Sequence, residues 1–306
     1  MATQIFTNIS LLAGTGNSSG FIRGENLSYL PVIENAYLIV EDDTIAEMGK
    51  MENFHFSKND VPPNTVILPA WCDSHTHLVF AGSREGEFID KIKGISYAEI
   101  AAKGGGILNS AKKLNDTSEG ELFNEAWKRL KEVSKLGTGA IEIKSGYGLS
   151  LDGELKMLRV IKKLKEKSSL KIKSTFLGAH AFPLEYKENH HGYIDCIINQ
   201  MLPIIAKEKL ADYIDVFCER GFFSAEEMKR ICEAGKNYGL KPKLHVNQLN
   251  SIGGIEAGME LDALSMDHLE TLTSDDIKLL GKCNGASTLL PTAAFFLRMP
   301  LQPARS

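Results

Sequence analysis

No apolar run in this sequence of 306 residues approaches the ~20 needed to cross a bilayer, and the longest, around Ala293 to Leu297, has the length of a core segment. No basic stretch precedes the first apolar residues, so the N-terminus reads as a strand rather than a targeting peptide. Both absences predict a cytoplasmic chain with no membrane partner. Cysteine is scarce: five residues (Cys72, Cys196, Cys218, Cys232, Cys283), scattered, odd in number and without a CxxC pair, which predicts reduced thiols and argues against a zinc site built from cysteine. A surplus of positive charge is missing too, with 35 Lys and Arg against 39 Asp and Glu, which argues against a dedicated nucleic-acid binder. No GxGxxG lies on a strand-to-helix turn, against a dinucleotide fold. The expected partner is a small molecule.

What is present is a rhythm. To about Thr65 the chain reads as short extended segments, Gln4 to Leu12, Ala36 to Val40 and a partner opening at Thr44, broken by Gly, Asn and Ser; this predicts a small β unit over residues 1–65. From Val66 onward, short apolar runs alternate with amphipathic stretches, as repeated βα units around a parallel sheet do. Seven strands are expected: Val66–Cys72, Ala140–Lys144, Lys171–Leu177, Tyr213–Cys218, Pro242–Val246, Ala263–Met266 and Ser287–Leu290. Helix signals fall between them. Ser224 with Glu227 three residues on is a capping box, Met228, Ile231 and Cys232 form one apolar face, and Gly239 is a stop; Leu155, Leu158 and Ile161 mark another face. Residues 66–306 are thus expected to be an α/β fold of the (β/α)8 barrel type, one unit short, with an open doubly wound sheet as the alternative. Gly104, Gly105 and Gly106 form a loop that either approaches a ligand closely or simply connects.

His75 and His77 stand two apart at the end of the first barrel strand, so their side chains leave the same face and can clamp one divalent metal. His180, His245 and His268 also fall at expected strand ends, the positions that open onto the catalytic face of a barrel. A lone histidine beside a strand is ordinarily structural, but five of eight at equivalent positions are hard to read that way. The other three, His55, His190 and His191, sit in polar loop or helix-entry sequence. Arg84, seven residues past His77, offers a guanidinium fork for a carboxylate or else makes a surface ion pair. Tyr147, between Gly146 and Gly148, either presents its phenol on a loop or packs into the core. Lys144 as a carbamylated metal bridge is disfavoured, because it lies on the second strand rather than the fourth.

The runs Asp73 to Arg84, Ile143 to Leu149, Phe176 to His180 and Thr288 to Leu297 together resemble the imidazolonepropionases, cyclic-amide hydrolases of histidine breakdown in the amidohydrolase superfamily. The resemblance implies a metal-dependent barrel joined to a small β-sandwich, a homodimer, and one divalent or trivalent metal ion, zinc or iron. Carried onto this sequence, it implies His75, His77 and His245 as metal ligands and Arg84, Tyr147 and His180 as substrate contacts. Gln248 stands where many members of the family have Glu; it cannot act as a base and is assigned to binding and orientation of the ring amide. His268 is expected to polarise the ring carbonyl. The implied reaction is hydrolysis of 4-imidazolone-5-propanoate to N-formimidoyl-L-glutamate. Another cyclic amidohydrolase, a nucleobase-type aminohydrolase and an incompetent binding subunit are the alternatives. The family pattern also implies more chain after Phe295 to Arg305, with an eighth strand bearing a metal-binding Asp. On that reading the chain is a C-terminally truncated, poorly soluble and nearly inactive member, unless Asp267 or Glu219 replaces the missing carboxylate.

Overall fold

The computed structural model describes residues 2–16, 22–54, 61–95, 99 and 105–305, so His55 and Gly104 lie outside the described residues. Two compact units are present, Met1–Trp71 and Cys72–Ser306. In the first, β1 (Thr3–Ala13), β2 (Val32–Glu41), β3 (Thr44–Lys50) and β4 (Val66–Ile67) form one sheet in the order β3-β2-β1-β4. Asp42, with φ of 51°, supplies the left-handed residue that the two-residue connection between paired Glu41 and Thr44 requires. Ile9, Leu12, Ala36 and Leu38 are its buried core.

The expected strand Val66–Cys72 is corrected. Val66 and Ile67 pair with Leu11 and Leu12 of β1, and a separate strand, β5, spans Trp71–Asp73. Pro69 is the physical cause: it has no N–H for a ladder, and its ring lies so close to Gly14 that a Cβ there would meet Pro69 Cγ at 2.4 Å.

In the second unit, β5 is followed by β6 (Thr138–Lys144), β7 (Lys171–Ala179), β8 (Tyr213–Cys218), β9 (Lys241–Val246), β10 (Ser265–His268) and β11 (Ala286–Leu289). The seven-stranded sheet runs in chain order, and every ladder from β6 to β11 is parallel. A doubly wound sheet would reverse its order midway. This sheet does not, which makes it α/β of the barrel type. Helices cover its outer face. The helix Leu151–Lys167 starts at Ser150, whose hydroxyl accepts the Gly153 N–H, and buries Leu155, Leu158 and Ile161 completely or nearly so; each such side chain contributes roughly 1.5–3 kcal/mol. The helix Ala225–Lys236 starts at the expected capping box of Ser224 and Glu227 and buries Met228, Ile231 and Cys232. Among the described residues, no helix is long and apolar enough to cross a membrane.

Candidate active site

Strands β6 to β10 are covered on both faces, and their period-two alternation sorts the side chains. Ile141, Ile143, Ile214, Val216, Leu244, Val246 and Met266 join the apolar core under the helices. The alternate residues Glu142, Lys144, Asp215, Lys243, His245, Ser265 and Asp267 are also buried, on the other face. Charged groups in such a place must satisfy one another. Lys144 Nζ donates to Glu142 Oε1 at 2.9 Å and to Asp215 Oδ2 at 2.8 Å, and lies 3.5 Å from Asp267 Oδ2. Lys243 Nζ donates to Ser265 Oγ at 2.7 Å, and that hydroxyl donates to Asp267 Oδ1 at 2.6 Å. Burial works against the Lys144 charge, but Asp215, Glu142 and Asp267 hold its pKa above the ordinary lysine value. It is an ammonium in a cage of carboxylates, not an amine open to carbamylation.

Above this bed stand the histidines. β5 ends at Asp73, so His75 and His77 sit on the extended segment just past the strand rather than on it. His75 Nδ1 meets Asp267 Oδ2 at 2.7 Å, and His245 Nδ1 meets Asp215 Oδ2 at 2.7 Å. Each carboxylate accepts a hydrogen bond from Nδ1–H and so leaves Nε2 with a bare lone pair, the arrangement a metal-binding imidazole needs. One ligand atom from each of His75, His77 and His245 lies within 4.8 Å of the others. His77 Nε2 and His245 Nε2 are 3.3 Å apart. Two nitrogens bound tetrahedrally to one zinc at ~2.0–2.1 Å would be separated by about that distance. Burial, reinforced by the other cationic and imidazole neighbours, drives the pKa of all three well below the ordinary histidine value, so the rings are neutral and available as ligands. The residues present fit a single metal ion.

His180 follows β7 and is held differently. Its Nδ1 donates to the Gly146 carbonyl at 3.0 Å, its ring stacks on His77 with centroids 5.2 Å apart, and burial lowers its pKa to about 4. Tyr147 lies beside both rings, 5.3 Å from His77 and 5.4 Å from His180 between centroids. Its loop is organised from beneath by Glu154, a fully buried carboxylate accepting the N–H groups of Gly146 (3.1 Å), Gly148 (2.7 Å) and Leu149 (3.0 Å). Glu219 does the same for the loop after β9, accepting the N–H groups of Leu249 (2.7 Å) and Asn250 (3.0 Å) next to Gln248. Sequence reading missed Glu154. Its signal is an acid in the first turn of a helix that follows a glycine-rich loop, where backbone N–H groups converge. Glu219 and Asp267 are thus occupied in holding other groups.

β10 extends two residues beyond the expected end at Met266, so that His268 is its last residue, with φ of 87°. A non-glycine residue there stores strain of order 1–3 kcal/mol, as residues at functional sites often do. Its Nδ1 lies 3.3 Å from Glu270 Oε1, and its ring centroid is 5.3 Å from His75 and 5.0 Å from His245. All these rings open into a cavity of about 520 Å³ also lined by Arg84, Tyr147 and Gln248. Arg84 both lines that cavity and makes the ion pair expected of it as the alternative: its Nε and Nη2 donate to Glu87, whose other oxygen accepts the Gly106 N–H at 2.9 Å. Phe296, on the helix Pro291–Leu297, closes the same side, stacked on Phe88 at 5.1 Å and capped by Lys91 Nζ at 4.2 Å.

No protein-family model matches the chain. Among solved structures, it is similar to a guanine deaminase from Clostridium acetobutylicum with bound guanine, at a TM-score of 0.64 and 16% identity over 99% of this chain and 71% of that one. It is similar to a 5-methylcytosine deaminase from Klebsiella pneumoniae at a TM-score of 0.64 and 13% identity, over 96% of this chain and 68% of that one. At these identities the likeness shows the fold, an α/β sheet of the barrel type, which here carries a histidine cluster at its strand ends. The chain is also 56% identical, over 100% of its length and 75% of the relative's, to an imidazolonepropionase from Flavobacterium johnsoniae. It is 43% identical to one from Clostridium tetani over 92% of this chain and 69% of that one. The chain belongs to the imidazolonepropionase family.

Proposed function

We propose that the intact catalytic unit to which these residues belong carries out the ring-opening hydrolysis of 4-imidazolone-5-propanoate to N-formimidoyl-L-glutamate, with one zinc or iron ion held by His75, His77 and His245. The observation that carries the reading is the convergence of those three neutral rings, two of them backed by carboxylates, at a cavity that also contains an arginine. When bound, the ion supplies Lewis acidity toward the ring carbonyl and toward the attacking water. The chain's own groups do the rest. Arg84 pairs with the propionate through the edge of its guanidinium not engaged by Glu87. The Gln248 carboxamide donates and accepts across the ring amide and fixes its orientation. His268, held at Nδ1 by Glu270, stands at the ring carbonyl, where it is assigned to polarise that group. Tyr147 and His180 wall the ring on the His77 side; with Nδ1 committed to Gly146, His180 presents Nε2 as an acceptor for a ring N–H.

The test is a substrate screen on the metal-supplemented chain against imidazolonepropionate, hydantoins and guanine. Preferential turnover of imidazolonepropionate is expected. Preferential turnover of a hydantoin or of guanine would replace this reading with the corresponding cyclic amidohydrolase or aminohydrolase, and near-zero zinc and iron after metal supplementation would replace it with a binding subunit.

A further inference from the structure

His75 comes from the segment after β5, and His245 from β9, four places along the sheet. No backbone ladder joins them. One side chain does: Lys144, on β6, fully buried and without contact to the cavity. Its Nζ donates to the same Asp215 oxygen that receives His245 Nδ1, and stands 3.5 Å from the same Asp267 oxygen that receives His75 Nδ1. The result is an unbroken polar chain, His75–Asp267–Lys144–Asp215–His245. The Lys144 backbone adds a second hold, since its N–H donates to the Thr76 carbonyl at 3.0 Å, between the two histidines of the first pair. Lys243 cannot substitute, because it is spent on Ser265 and lies 3.9 Å from Asp267.

We propose that Lys144 is a positioning residue that locks His75 and His245 into one preorganised ligand pair, so that metal affinity depends on a side chain that touches neither metal nor substrate. This rests on the reading of His75, His77 and His245 as the ligands. Without the ammonium, the ladders of β8 and β10 with β9 still fix the two backbones, but no charge spans the Asp215 and Asp267 carboxylates, and each Oδ2 is left with its own imidazole alone to orient it.

The experiment measures zinc affinity by chelator competition, with the visible spectrum of the cobalt(II)-substituted chain as a second readout. Lys144→Met keeps the backbone N–H and most of the volume; zinc affinity is expected to fall about 10- to 100-fold, the range for losing an outer-shell partner, and the cobalt bands to shift. Unaltered affinity and bands in a folded Lys144→Met chain would overturn the proposal. Should that variant not fold, Asp215→Asn, Asp267→Asn and their combination, all with Lys144 in place, decide instead. Coupling through Lys144 makes the double loss smaller than the product of the single losses; a simple product overturns it. Failure of the unmutated chain to bind zinc would instead refute the ligand assignment itself, which keeps the two readings apart.

Discussion

Arg84 already shares two of its donors with Glu87, and so a substrate carboxylate must be met by the rest of a planar fork. Lysine has one point charge to divide between the two anions and cannot do this. Arg84→Lys is therefore expected to raise KM about tenfold or more, the worth of one charge-assisted hydrogen bond of ~1.5–3 kcal/mol, while metal content stays at the wild-type level; an unchanged KM would leave Arg84 with a structural role only. Among the described residues, His77 is the ligand ring with no carboxylate behind it, its buried Nδ1 having no hydrogen-bond partner there. It depends on its lone pair for its role. His77→Ala and His75→Ala should each leave too few fixed nitrogens to retain an ion, and stoichiometric metal in either purified variant would contradict the assignment.

At the scale of the element, the loop between β6 and the helix Leu151–Lys167 is built on glycine for two separate reasons. Gly146 has φ of 111°, and a Cβ there would meet His180 Nδ1 at 2.9 Å and Leu177 at 3.0 Å. Gly148 has no room either, since a Cβ would lie 2.3 Å from the Glu154 backbone nitrogen. Gly146→Ala is expected to destabilise the chain by about 1–3 kcal/mol and to displace both His180 and Tyr147. Glu154→Gln probes the same loop from below: an amide has one oxygen for the three N–H groups that a carboxylate serves, and its NH2 finds donors where it needs acceptors. A lowered melting temperature together with a raised KM is expected. Loss of stability with unchanged KM would show that the loop keeps its shape without that carboxylate.

At the scale of the whole molecule, the second unit carries its charge inside the sheet. Burial holds His180 at about 4 against an ordinary 6.5, and pushes His75, His77 and His245 down as well. Between those values the unfolded chain binds protons that the folded one refuses. Stability is complete above the ordinary imidazole pKa and is lost as pH falls toward about 4. Thermal melts of the chelator-stripped chain should accordingly show a melting temperature that drops on acidification through that window, with a shallower drop for His180→Gln. A melting temperature that stays level or rises there would mean that the rings are hydrated in the folded state.

Much of this organisation is local and therefore written in the sequence. The strand Tyr213–Cys218 begins and ends where its apolar pattern does, the Ser224 and Glu227 cap needs only its own turn, and strand-end histidines follow from the strands themselves. Pro69 was legible as a breaker too, yet the run from Val66 to Cys72 hides it among apolar neighbours; only pairing with β1 reveals two strands. What tertiary structure alone decided is the roles of Lys144, Asp215, Asp267, Glu154 and Glu219. In a strand covered on both faces, a charged residue in the inward register looks the same in sequence as one on a solvated edge, and its partner lies on another strand, 71 residues away for Lys144 and Asp215. The cost of burying a charge is settled by which opposite charge the fold brings to it, and for this protein that choice is made by the order of strands in the sheet, not by the residues on either side.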